Sequence, residues 1–202
     1  MIAEGPVLSD ELLEELISMA EHLEFKNKKN IIAPGEIEDS IWIIASGFVK
    51  TFYFDGKKEF VNAFSGTGTI FLSALGYMMG KPSFYGWQAI SDCDLLRINK
   101  KDFDNLRQKS IEFANWIFQV AILTFGVYEF KLETFNEKDS LSLYKKLLRN
   151  KMTFEPSDIK DFTRHELIKI VSSKDLASYL GITPSYLSNI RKLMIEEEKK
   201  TR

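Results

Sequence analysis

The sequence predicts an α+β fold, with an N-terminal β-roll, one long helix and a helical C-terminal domain. Three observations lead to this prediction. Short β-prone segments separated by glycines fill residues 30–98. An apolar helical pattern then runs from about 101 to 136, and helix caps around a glycine turn follow near the C-terminus. We therefore expect two domains, at 1–136 and 137–202.

The N-terminal domain is expected to begin with an amphipathic helix at 9–24, capped by Ser9 and bearing leucines and isoleucines on one face. Apolar runs rich in β-branched and aromatic residues predict strands at 41–44, 48–54, 59–64 and 94–98. Asp55-Gly56 predicts a hairpin turn whose two central residues take positive φ. Glycines about a dozen residues apart suit a compact roll with turns at its ends: Gly35, Gly47, Gly56 and Gly68.

The composition excludes several classes of site. The 202 residues include one cysteine, Cys93, and two histidines, His22 and His165. These are too few ligands for a disulfide framework, a cysteine-held cluster or a typical zinc site, so we expect no metal. Both histidines are interpreted as surface residues, His22 on the first helix, and with no nucleophile–base pair we expect no catalytic residues and no enzyme. No apolar stretch is long enough to span a membrane, so we expect a cytoplasmic protein.

Charge is distributed unevenly along the chain. The net charge is −2. Residues 139–202 hold 13 Lys and Arg against 9 Asp and Glu, or +4, and the rest hold 14 against 20, or −6. A basic C-terminal part favours contact with nucleic acid.

The helical pattern at 101–136 is apolar over too much of its circumference for one face of a small domain. We expect one side to pack on the roll and the other on a second copy of the chain. The alternative is a helix buried within a monomer. The residues assigned to the dimer helix are Phe113, Trp116, Ile117, Val120, Leu123, Thr124 and Val127. A hinge is expected at 136–140, followed by helices near 141–150 and 157–170, with Pro156 in the connection between them.

The strongest pattern is SSKDLASYLGITPSYLSNIRK, from Ser172 to Lys192. Small Ala177 permits two helices to cross, and Gly181 can take a left-handed turn. Thr183 is a natural cap, and Pro184 suits the first helical position. The apolar positions that would join the two helices are Leu176, Leu180, Ile182, Leu187 and Ile190. The pattern predicts a helix-turn-helix, and the alternative is a generic helical hairpin.

The outer face of the second helix carries hydrogen-bonding and cationic side chains. An asparagine can pair with adenine through two hydrogen bonds, and Arg and Lys reach guanine or phosphate. The predicted DNA-binding residues are Lys174, Thr183, Ser185, Tyr186, Ser188, Asn189, Arg191 and Lys192.

The order of these features resembles the Crp/Fnr family of transcription regulators. The resemblance is carried by PGE at 34–36, IWIIASGFVKTFYFDGKK at 41–58, GTIFLSALG at 68–76 and the helix-turn-helix. It implies a roll like the cyclic nucleotide-binding domain, a homodimer joined along the long helix, and paired recognition helices on a two-fold symmetric site. The implied partners are double-stranded DNA, a second copy of the chain and RNA polymerase, with no membrane partner.

The effector region departs from the nucleotide-binding members. Their ribose-binding Glu falls near Ser73 here, and their phosphate-binding Arg-Ser pair falls near Ser83 and Phe84. No arginine lies between Lys50 and Arg97, and a buried phosphate needs a cation or many amides. We therefore expect no cofactor and no response to cyclic AMP. The residues assigned to the effector pocket are Phe71, Ser73, Ala74, Leu75, Ser83, Phe84 and Tyr85.

The recognition helix departs as well. Members that read the commonest half-site carry Arg, Glu and Arg at the places of Pro184, Ser185 and Asn189, so we expect a different DNA sequence. Only seven residues follow Ile195, which leads us to expect a helix-turn-helix domain lacking a full wing. The expected function is a DNA-binding regulator. The alternative is a ligand- or protein-binding signalling module whose helix-turn-helix no longer binds DNA.

Overall fold

A computed structural model describes residues 7–135, 144 and 169–200. The side chains described exclude those of 127, 130–135 and 195–200. The predicted hinge at 136–140 lies outside the described residues. So do the predicted helix at 141–150, apart from residue 144, and the one at 157–170, apart from its last two residues.

The first helix is shorter than predicted. Helix α1 spans Asp10–Ser18, and strand β1 follows at Glu21–Phe25. The prediction of one helix over 9–24, with His22 on it, is therefore wrong. In the sequence EHLEF, Leu23 and Phe25 alternate with polar residues, and this two-residue period fits a strand that pairs antiparallel with β8 (Cys93–Ile98).

Two four-stranded antiparallel sheets form the roll. The remaining strands are β2 (Asn30–Ile32), β3 (Ile41–Ser46), β4 (Phe48–Asp55), β5 (Lys58–Gly66), β6 (Ile70–Leu72) and β7 (Gly86–Ala89). The order is β1-β8-β3-β6 in one sheet and β2-β7-β4-β5 in the other. The four predicted strands are confirmed as β3, β4, β5 and β8. Among the described strands, β5 pairs with β4 alone, and its other edge faces no strand.

Alternation along the strands divides the apolar side chains between two cores. Trp42 and Ile44 point into the roll, where they pack with Val49 and Leu95. Ile41, on the opposite face of the same strand, packs against the helices outside the roll. The roll is thus packed on both faces of this sheet.

The turns are glycine-dependent at two places. The β4–β5 hairpin is confirmed, but its turn lies one residue later than predicted, at Gly56-Lys57, and only Gly56 has positive φ (58°). This agrees with the hairpin turn that needs glycine at its first central position alone. Gly47, between β3 and β4, has φ 91°, and a Cβ there would fall on the carbonyl oxygen of Asp92 and 2.7 Å from the sulfur of Cys93.

The long helical stretch is broken. Helix α3 spans Lys100–Lys109 and helix α4 spans Ile111–Phe135, so the prediction of one continuous helix is wrong. Ser110 between them is extended (φ −116°, ψ 114°), and its hydroxyl accepts from the amide of Phe113 at 3.1 Å. Serine favours such a cap over a helix interior because its side chain competes for backbone groups. Among the described helices, none is both long and apolar enough to cross a membrane.

A six-residue helix, α2 (Ala74–Met79), packs against α3. The hydroxyl of Tyr77 donates to Asp104 at 2.6 Å, and the ammonium of Lys100 lies 3.9 Å from the centre of the Tyr77 ring. Desolvation raises the pKa of the Asp104 carboxyl, but hydrogen bonds from Lys100 and Tyr77 outweigh it and lower that pKa overall. These contacts tie α2 to α3.

The C-terminal helices pack directly on the roll. Helix α5 spans Ser173–Tyr179 and helix α6 spans Pro184–Lys200. Their buried core includes one residue of the roll, Ile90, and two further roll residues, Phe48 and Phe64, pack against it. The helical pair and the outer face of the β4–β5 hairpin therefore share one apolar core.

Candidate nucleic-acid interface and effector region

The turn between α5 and α6 has the predicted local structure. Gly181 adopts the left-handed conformation (φ 68°), and the Thr183 hydroxyl accepts from the amide of Tyr186 at 3.2 Å. Ser172 caps α5 in the same way, accepting from the amide of Asp175 at 3.0 Å. The two helices are held together by buried apolar side chains at the predicted positions, with Ile182 only partly buried: Leu176, Ala177, Leu180, Leu187 and Ile190.

The predicted DNA-binding side chains form an exposed polar face. The exposed members of the set are Lys174, Thr183, Ser185, Tyr186, Ser188, Asn189 and Lys192. Five of these residues lie on α6, whose opposite side carries buried Leu187 and Ile190. Among the described side chains of α6, the exposed side is mainly polar, with one exposed cation, Lys192, and one exposed leucine, Leu193.

Arg191 differs from the rest of the predicted set. Its side chain is half-buried and donates to the hydroxyl of Ser173 at 3.0 Å and to the hydroxyl of Tyr144 at 3.3 Å. It therefore braces α6 against α5. A sequence pattern could not reveal this second role, because Ser173 and Tyr144 are distant from it along the chain.

The hydroxyls in the predicted effector region are used locally. Ser73 is buried and caps α2 by accepting from the amide of Gly76 at 3.2 Å. Ser83 is also buried, and its hydroxyl donates to the carbonyl of Tyr85 at 2.7 Å. Ala74 and Leu75, by contrast, are exposed on α2. The structure thus places these four predicted residues in two different settings.

Aromatic rings occupy the rest of this region. Phe71 is buried and stacked in the roll between Trp42 and Trp87, with ring centroids 6.2 and 5.7 Å away. Phe84 is exposed and stacks on Tyr53 at 5.3 Å, and Tyr85 meets both of those rings edge-on, with centroids 5.2 and 5.8 Å away. In the described part of the chain, no three His, Cys, Asp or Glu side chains come together in a way that could hold a metal ion.

The residues of α4 that were predicted to form the dimer helix differ in their exposure. Phe113 is fully buried in its own chain's core, so the prediction that it faces a partner is wrong. Trp116 and Ile117 are partly buried against the same core. Val120 and Leu123 are half-buried, Thr124 is exposed, and the side chain of Val127 lies outside the described set. Among the described side chains of α4, the large apolar ones that are exposed are Ile111, Phe118, Ile122, Phe125 and Tyr128.

Sequence reasoning missed an ionic cluster between the roll and α5. The ammonium of Lys50 on β4 lies 2.7 Å from Glu59 Oε1 and 3.1 Å from Asp175 Oδ1, and its side chain is only 5% exposed. Two signals could have indicated it. Lys50 is a lone charge in the apolar run FVKTFYF, and Asp175 is the only acidic residue between Leu167 and Ile195.

Part of the chain matches a known domain family. Residues 22–110 match the family model of the cyclic nucleotide-binding domain. No curated protein is similar enough in sequence to be matched.

Several solved structures share the fold. The c-di-GMP-responsive global regulator CLP of Xanthomonas campestris is 14% identical, with a TM-score of 0.69 over 93% of this chain and 92% of that one. A cyclic nucleotide-binding domain containing protein from Listeria monocytogenes EGD-e is 16% identical, with a TM-score of 0.69 over 94% and 91%. FixK2 from Bradyrhizobium japonicum is 13% identical, with a TM-score of 0.67 over 89% and 86%. Residues 22–110 thus match the cyclic nucleotide-binding domain, and the chain shares its fold with CLP, the Listeria monocytogenes protein and FixK2.

Proposed function

We propose that the chain is a homodimeric, DNA-binding transcription regulator of the Crp/Fnr type. The observation that carries this proposal is the exposed polar face of α6, with Ser185, Ser188, Asn189 and Lys192 on a helix whose other side is buried. Exposed hydroxyl, amide and ammonium groups on one face are those that read bases and bind phosphates.

A dimer would bring two such helices to a two-fold symmetric site. The apolar side chains on the outer side of α4 support dimerisation. Phe118, Ile122 and Phe125 recur at four- and three-residue steps, which places them in one stripe. A stripe of this kind on a soluble helix is suited to a partner helix, here a second copy of the chain.

We further propose that the effector is not cyclic AMP. The region where the resemblance implies a phosphate site contains no arginine, and the hydroxyls of Ser73 and Ser83 are engaged with their own backbone neighbours. Calorimetric titration with cyclic AMP is expected to give no binding. Micromolar binding would contradict this part of the proposal.

The function is tested by enrichment of DNA from a random-sequence library at low salt, followed by affinity measurement on the selected site. Asn189→Ala is expected to relax sequence preference, with a loss of about 1–3 kcal/mol on the selected site. Lys192→Ala should weaken binding to all sequences and reduce the slope of log affinity against log salt by about 1. Lys101→Ala, an exposed lysine on α3, is the matched control and should bind normally.

Failure of the purified chain to enrich any DNA would refute the proposal. That result would favour the alternative in which α5 and α6 contact a protein.

A further inference from the structure

Helix α5 covers an open sheet edge. Strand β5 is the last strand of its sheet, and no strand among the described residues pairs with its outer edge. The hydroxyl of Ser178 on α5 accepts from the amide of Val61 at 3.0 Å and donates to the carbonyl of Glu59 at 3.4 Å. The Ser178 side chain therefore satisfies the amide of Val61 and the carbonyl of Glu59. Helix α5 thus covers the outer edge of β5, which could otherwise pair with a strand of another molecule.

The ionic cluster lies beside this contact. Lys50 is held between Glu59 of the roll and Asp175 of α5, whose side chains are 21% and 16% exposed. Both carboxylates reach the same ammonium, so they also lie close to each other. Without the lysine, two like charges would face one another across the junction with little water to screen them.

The docked position leaves the polar face of α6 free. Asp175 and Ser178 contact the roll, whereas Ser185, Ser188, Asn189 and Lys192 are exposed. Docking also determines whether a negative charge is exposed in the stretch between Leu167 and Ile195. Asp175 is the only acid between Leu167 and Ile195, and in the docked position it is paired with Lys50. The exposed charges in the described part of that stretch, which ends at residue 194, are therefore all positive.

We propose that Lys50 is a positioning residue for DNA binding, which holds α5 on the edge of β5 and pairs with the only carboxylate between Leu167 and Ile195. This inference rests on the proposed function. The docked arrangement is then the one that binds DNA. If α5 left the roll, α6 would no longer be held in one orientation. The Asp175 carboxylate would also be exposed close to the DNA phosphates, where its negative charge weakens binding.

The test compares Lys50→Met with Lys50→Met/Asp175→Asn and with Lys50→Arg. Methionine keeps the length of the side chain and removes its charge, and the second substitution removes the repulsion that remains. Lys58→Met is the matched control, because Lys58 is an exposed lysine of the same hairpin that lies over the Phe60 ring. Affinity is measured by fluorescence anisotropy on the selected DNA site.

Docking is measured separately, by hydrogen exchange at the amide of Val61. That amide donates to Ser178 across the junction and exchanges faster when α5 leaves. Lys50→Met is expected to lose about tenfold or more in affinity and to expose the Val61 amide, since removal of one partner leaves buried charge unpaired. The double variant and Lys50→Arg should restore both readouts to within about threefold of the original chain.

Two results would overturn the inference while the proposed function stands. One is Lys50→Met binding DNA as well as the original chain, and the other is weaker binding with the Val61 amide still protected. If the original chain itself binds no DNA, the proposed function fails and this inference falls with it.

If Lys50→Met does not fold, Ser178→Ala replaces it. This variant is expected to bind DNA severalfold more weakly and to show faster exchange at the Val61 amide. Faster exchange with unchanged affinity would then overturn the inference.

Discussion

The exposed apolar stripe on α4 allows a quantitative test of dimerisation. Phe118 is 65% exposed and Ile122 is 55% exposed in the single chain. Full burial of such a side chain contributes about 1.5–3 kcal/mol, so the exposed parts correspond to roughly 1–2 kcal/mol each. A two-fold dimer buries each residue twice, so Phe118→Ala/Ile122→Ala should cost the dimer about 4–8 kcal/mol, a thousandfold or more in Kd.

The assay is sedimentation velocity over a range of protein concentrations, with circular dichroism to verify that the variant remains folded. Ile37→Ala provides the matched control, because Ile37 is the same residue type, 62% exposed, and lies between strands rather than on α4. We expect the double variant to sediment as a monomer where the original chain and Ile37→Ala are dimers. A double variant that remains dimeric, or an original chain that is monomeric throughout, would refute the assignment of this stripe.

Three further predictions concern the roll and its packing. Gly47→Ala is expected to lower the free energy of unfolding by about 2 kcal/mol or more, because its φ is 91° and a Cβ would meet Asp92; an unchanged urea midpoint would contradict this. Tyr77→Phe should cost about 1.5–3 kcal/mol through the lost hydrogen bond to Asp104. The pKa of Asp104 is lowered in the fold, so this cost is fully present above about pH 4, where the carboxyl of an unfolded Asp is ionised. The cost shrinks as the pH falls through the lowered pKa. Urea unfolding curves at several pH values measure this change. Burial raises the pKa of the Cys93 thiol, so we expect very slow reaction with a disulfide reagent at neutral pH and rapid reaction in urea; fast labelling of the folded chain would disagree.

Local signals in the sequence predict much of this fold. The alternation in 41–44 and 48–54, the glycine of the β4–β5 turn and the caps around Gly181 each depend on a few neighbouring residues, and each is found. Elements that depend on distant partners were not predicted. Strand β1 follows α1 after two residues and is stabilised by its pairing with β8, some 70 residues later, and β6 and β7 are only three and four residues long.

The polar face of α6 was predicted residue by residue, but the contacts around it were not. Lys50 and Asp175 are 125 positions apart, and Arg191 meets Tyr144 from 47 positions away. The sequence shows Lys50 as a lone charge in an apolar run and Asp175 as a lone acid, but it does not identify the partner of either residue. Only the packing of the helical pair on the roll gives them partners.

The apolar core shared by the helical pair and the roll has a consequence for exchanging parts between proteins of this fold. A graft of α5 and α6 onto another roll would leave their inner side without Phe48, Phe64 and Ile90, which complete that core here. The natural unit of exchange is therefore the helical pair together with its complementary strand surface. A chimera that transfers those three positions along with the helices should fold where one that transfers the helices alone would not.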